Sequence, residues 1–85
     1  MVYLIHFSEK LHHAQHYLGF VEHNLKQRIK KHKSNKGAKL LIAVNAKGIS
    51  WEVVRVWEEG DRTFERLLKN RKKARCFCPV CRKHH

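Results

Sequence analysis

Met1-Val2-Tyr3-Leu4-Ile5-His6-Phe7 and His16-Tyr17-Leu18-Gly19-Phe20-Val21 are two short runs dominated by β-branched, aromatic and large aliphatic residues. This is strand composition, and two such runs in close succession predict a hairpin over residues 2–7 and 15–21. The polar stretch between them, Ser8 to Ala14, carries neither Asn-Gly nor Pro. A connection longer than two residues is therefore expected.

Downstream of the hairpin the periodicity changes from two to about 3.6. Asn24 is suited to cap a helix in which Leu25 and Ile29 recur on one face and Lys26, Lys30 and Lys33 fall on the other. With Leu25 at zero, Arg28 and His32 lie at about 300° and 340°, beside the apolar stripe, and should look toward the sheet. Asn35-Lys36-Gly37 breaks this helix, and Ala38 to Ala46 reads as a second one built on Leu40, Leu41 and Val44. Ser50 to Glu58 suits a third strand. Gly60-Asp61 should start a last helix whose buried stripe is Phe64, Leu67, Leu68 and the stem of Arg71, flanked by Glu65, Lys69 and Lys72. The expected architecture is α+β, with a three-stranded, mainly antiparallel sheet flanked by three helices in the order β-β-α-α-β-α.

A chain of 85 residues fits one domain with a small core. Residues 1–75 are read as that domain and 76–85 as a basic tail containing Cys and His. Nineteen Lys and Arg face seven Asp and Glu, a formal charge of +12. Phosphate polymers are natural partners for such a chain, through release of their condensed counterions. There is no apolar run of the ~20 residues needed to span a bilayer, nor the apolar stretch of a secretory signal, so a cytoplasmic location without membrane association is expected.

Val2-Tyr3-Leu4, Tyr17-Leu18-Gly19, then Arg28 and His32 four residues apart, then Glu65, form an ordered set that resembles the GIY-YIG nuclease superfamily. The likeness covers nearly the whole chain and is that of a small stand-alone member. It departs from the family pattern in reading Met1-Val2-Tyr3 in the first motif and in one extra residue between Gly19 and Arg28, around Glu22-His23. The resemblance implies that Tyr3 and Tyr17 stand on neighbouring strands, that Arg28 reaches the scissile phosphate, and that Glu65 holds one divalent metal. Gly19 is then the motif glycine, and His32 the histidine one turn after the arginine.

Phosphodiester hydrolysis calls for the same residue types on its own terms, since water must lose a proton and the transition state gains negative charge. Arg28 offers a planar, permanently charged fork for phosphate oxygens. Glu65 offers a hard oxygen to Mg²⁺ or Mn²⁺. Tyr3, Tyr17 and His32 are the candidates for positioning or deprotonating water. The expected function is thus a metal-dependent endonuclease acting on DNA, with RNA as the other possible substrate; the alternative is a noncatalytic nucleic-acid-binding or regulatory protein on the same scaffold. Basic residues concentrate in Lys26 to Lys39 and Arg62 to Lys83. From them Lys30, Lys36, Lys69 and Lys72, together with Gly19, are the expected DNA contacts, and Trp51, Trp57 and Phe77 are available to bases or to the core.

Cys76, Cys78 and Cys81 lie together at the end of the chain, which disfavours a secreted disulfide framework. Zinc on these cysteines with His84 or His85 is one reading of the tail, because Cys78-Pro79-Val80-Cys81 has knuckle spacing. All those candidates fall within ten residues, and such a loop is cramped. Free thiols are the preferred reading.

Overall fold

A computed structural model describes residues 1–71 and 74–82 and, of Arg75 and Arg82, the backbone alone. The elements follow the expected order: β1 (Val2–Leu11), β2 (Ala14–Phe20), α1 (Leu25–Lys33), α2 (Lys39–Ala46), β3 (Trp51–Trp57) and α3 (Arg62–Arg71), with two further one-turn helices, α4 (Ala74–Phe77) and α5 (Pro79–Arg82). The sheet is antiparallel throughout, in the order β2-β1-β3. The central strand β1 has its first four residues fully buried.

The hairpin is longer than its composition suggested. β1 continues through Ser8, Glu9 and Lys10, and only His12 and His13 turn the chain into β2. Leu11 explains the extension: it is 93% buried and joins the core, which holds the exposed polar residues before it in strand conformation. The turn is closed without glycine by His12 in the left-handed region at φ 57°. The register shifts between His6 and Leu11, so the far end of the hairpin is irregular.

Alternation along β1 and β2 divides the molecule into two layers of side chains. Tyr3, Ile5 and Phe7 point to the face covered by α1 and α2, where Leu41, Val44, Ile49 and Trp51 complete the main core against Tyr17, Leu25 and Ile29. Val2, Leu4 and His6 point to the other face, where α3 to α5 return. Val2 meets the Gly60 corner, and Leu4, His16 and Leu18 share a groove with Leu68, Ala74 and Phe77.

Helix boundaries follow local chemistry. Asn24 caps α1 by accepting a hydrogen bond from the Gln27 amide at 3.1 Å, in a left-handed conformation that Asn tolerates better than most residues. Asp61 does the same for α3 through the Phe64 amide at 2.8 Å. The stripe expected on α3 is narrower than its spacing implied: Leu68 is buried, but Leu67 is 47% exposed and Arg71 is exposed. The helix docks on β1 and β2 through the flank that carries Leu68.

Candidate nuclease site

The four side chains singled out in the first half of the sequence meet on the α1 side of the sheet. Tyr3 is fully buried, and its hydroxyl shares a 2.8 Å hydrogen bond with Nε2 of His32, itself 1% exposed. Tyr17 stacks edge-on to His32 with ring centroids 5.6 Å apart and lies 6.1 Å from the Tyr3 ring. Two glycines make room for these rings. Gly19 lies opposite Tyr3 in the ladder, and a Cβ there would intrude on the Tyr3 phenol and come within 2.8 Å of Tyr17. Gly37 packs against the His32 imidazole just as closely. Gly19 is thus buried beneath the two phenols.

His32 is also anchored from behind. Its carbonyl accepts from Asn45 Nδ2 at 2.9 Å, and Asn45 Oδ1 in turn accepts from the Trp51 indole at 2.8 Å. Trp51 is buried, with Lys33 over its ring at 3.9 Å, and Trp57 packs against Phe64, Phe77 and Arg55. These aromatics are therefore taken up by packing.

Electrostatics follow from burial. Desolvation raises the Tyr3 pKa well above that of an ordinary phenol, the neighbouring Tyr17 adds to this, and the Arg28 guanidinium opposes it. Burial, and secondarily the Arg28 charge, lowers the His32 pKa, so its ring is neutral at pH 7. His32 Nδ1 has no hydrogen-bond partner. An orphan acceptor is less costly than an orphan N–H, which favours the tautomer with its proton on Nε2, donating to the Tyr3 oxygen.

Arg28 is half-buried at the edge of this nest, its Nη1 donating to the Phe20 carbonyl at 3.5 Å. It lines a surface cleft with Phe20, Val21, Glu22, His23 and Arg62, and Arg62 lies over the Phe20 ring at 5.1 Å. Arg62 was not singled out from sequence; its place one turn before Glu65 is the signal that would have found it. Glu65 is on α3, with its side chain 18% exposed and its carboxylate 3.5 Å from Lys69 Nζ. That is the only ion pair among the described residues; Glu22 lines the cleft as well, but forms no ion pair with Arg28 or Arg62. A larger cavity lined by Val56, Trp57, Glu58, Glu59 and Asp61 has the wrong charge for phosphate.

A family model for the GIY-YIG catalytic domain matches residues 1–76. The chain belongs to the GIY-YIG family. GIY-YIG domains are nuclease domains, so the substrate class is nucleic acid. No curated protein and no solved structure matches this GIY-YIG chain at a significant level. No helix among the described residues is long and apolar enough to cross a membrane.

The remaining expected residues are dispersed. Lys30, Lys36 and Lys69 are exposed, while Lys72, His84 and His85 lie outside the described residues. Cys76 is exposed, but Cys78 and Cys81 turn inward to the sheet, where their sulfurs meet His6 and His16.

Proposed function

We propose that this GIY-YIG protein is a metal-dependent endonuclease that hydrolyses DNA phosphodiester bonds in the cytoplasm, with Tyr3, Tyr17, Arg28, His32 and Glu65 as its working residues. The observation that carries the proposal is the buried Tyr3–His32 pair beside an arginine that forms no ion pair among the described residues. Arg28 binds the nonbridging oxygens of the scissile phosphate as a charged fork, with Arg62 adding positive potential in the same cleft. Tyr17, half-buried where Tyr3 is closed off from solvent, orients the attacking water. His32, donating from Nε2 to the Tyr3 oxygen, locks the Tyr3 ring beside that of Tyr17. Tyr3, held protonated by burial, cannot take the water proton while it keeps its own, so with His32 it fixes the geometry of the nest. His32 is a positioning residue, because its ring is closed off from solvent.

The donor set fits a hard cation. A single, partly exposed carboxylate is how Mg²⁺ is commonly held, with waters and substrate phosphate as the other ligands. One Mg²⁺ or Mn²⁺ on Glu65 would supply Lewis-acid neutralisation of the leaving oxygen. Exposed Lys30, Lys36 and Lys69 hold the DNA backbone, with Lys72 added from the sequence.

The test is nicking of supercoiled plasmid by purified protein with Mg²⁺ or Mn²⁺, compared with Glu65→Gln. The variant should lose on the order of 100-fold or more in rate. Equal nicking by both proteins would discard the assignment to Glu65, and salt-sensitive binding by both without cleavage would leave a noncatalytic nucleic-acid-binding protein.

A further inference from the structure

On the face of the sheet away from the tyrosine nest, His6 of β1 and His16 of β2 are direct cross-strand partners. Against them return Cys78, fully buried, and Cys81. The four potential ligand atoms all lie within 4.8 Å of one another. His6 Nδ1 is 3.4 Å from His16 Nε2, 3.4 Å from Cys78 Sγ and 3.7 Å from Cys81 Sγ; Cys81 Sγ is 3.4 Å from His16 Nε2.

A hydrogen-bond network is a poor account of this packing. One imidazole nitrogen offers either a single proton or a single lone pair, and Nδ1 of His6 faces three groups at similar range. Ligands around a common ion have that pattern. Zinc bonds of about 2.0 Å to nitrogen and 2.3 Å to sulfur at tetrahedral angles would put ligand atoms about 3.3 Å apart for N–N, about 3.5 Å for N–S and about 3.8 Å for S–S. The four shortest contacts, 3.4 to 3.7 Å, match this spacing, and the other two pairs, His16 with Cys78 and Cys78 with Cys81, lie within 4.8 Å.

We propose that His6, His16, Cys78 and Cys81 form a closed tetrahedral zinc site that fastens the C-terminal turns to the β1–β2 hairpin. Two soft thiolates with two imidazoles in a tetrahedron select zinc over the hard cation proposed for Glu65. On binding, the two thiols release their protons to solvent and the sulfurs donate to the metal, with no change of oxidation state. Four protein ligands leave no open coordination position, so the role is structural. The ligands come as two pairs far apart in sequence, unlike the cramped set of Cys76, Cys78, Cys81 and a terminal histidine. Pro79 opens α5, and its single turn sets Cys78 and Cys81 three residues apart on one side. The clasp continues contacts already made by the same segment: Phe77 packs on Trp57 at 6.3 Å and accepts from Arg55 Nη1 at 3.2 Å. A chain this small has little core to hold such a segment otherwise.

Metal analysis of protein purified under reducing conditions should find one zinc per chain. Co²⁺ replacing it should give the strong visible bands of a tetrahedral site together with thiolate charge-transfer absorption. Chelator should lower the melting temperature and added Zn²⁺ should restore it. Cys81→Ser and His16→Ala should lose the metal, whereas Cys76→Ser, His84→Ala with His85→Ala, and Glu65→Gln should keep it. Titrating the unaltered chain with Co²⁺ answers the question even if a ligand variant does not fold. Absence of both bound zinc and a tetrahedral cobalt spectrum would overturn the proposal, as would loss of zinc from the Cys76 or terminal-histidine variants. Plasmid cleavage is not a readout here, so the zinc result and the nuclease result can fail independently.

Discussion

Replacing Gly19 by Ala perturbs the candidate site at its tightest point. The added Cβ would project between the two phenols, overlapping the Tyr3 ring and approaching Tyr17 to 2.8 Å. Tyr3 cannot swing aside, because it is fully buried and its hydroxyl is bonded to an equally buried His32. Overpacking of this kind costs about 1–3 kcal/mol, which in a domain of this size lowers the melting temperature by roughly 4–8 °C for each kcal/mol. Any relief must come from the rings, and a displacement of about 1 Å in a reacting group can cost on the order of 100-fold in rate. Thermal melts and plasmid nicking well below the melting point should therefore fall together. Gly48→Ala is the matched comparison: Gly48 has φ +71° and nothing within 4 Å of the added carbon, so only backbone strain of about 1 kcal/mol is expected, with nicking at the parent rate. A Gly19→Ala protein that melts within 2 °C of the parent (about a quarter to half of a kcal/mol) and nicks normally would refute the packed-nest account.

Arg28→Lys keeps the charge but loses the planar fork. It should change stability by less than about 0.5 kcal/mol, since the side chain is only half-buried, while slowing nicking by on the order of 100-fold. Because burial depresses the His32 pKa below its unfolded value, His32 contributes stability that is full above about pH 6.5 and lost as pH falls below it, with a slope of at most about 1.4 kcal/mol per pH unit. Urea melts from pH 7 to pH 5 should show that extra slope in the parent relative to His32→Gln, and equal slopes would contradict a neutral buried ring. Lys30→Ala and Lys36→Ala, both at exposed positions, should each reduce the slope of log affinity against log salt by about one while leaving sequence preference unchanged. A slope that stays at the parent value would remove that residue from the DNA-contact surface.

Most of the fold was legible because each element carries its own signal. Strand composition in Val2–Phe7 and His16–Val21, the Asn24 and Asp61 caps, and the 3.6-residue spacing of Leu25 and Ile29 are local properties, and the structure keeps them all. The resemblance was legible for a related reason: Tyr3, Tyr17, Arg28, His32 and Glu65 are a fixed order of residue types, and order survives in sequence. Neither the true length of the hairpin nor the narrow stripe of α3 could be read this way. The first depends on Leu11 finding the core and the second on which flank of α3 docks on β1 and β2, and both are long-range packing outcomes.

By itself, the sequence determined the charge, the class of fold and the residue types a phosphate-cutting site needs, since these follow from composition and short-range spacing. Only the tertiary structure decided who meets whom. It buried His32 behind Tyr3, set Arg62 beside Arg28 in one cleft, and brought Cys78 and Cys81 to His6 and His16 across some sixty residues of intervening chain. Distance along the chain carries no record of such meetings, because they arise when strand pairing and helix return fold remote segments onto opposite faces of one sheet.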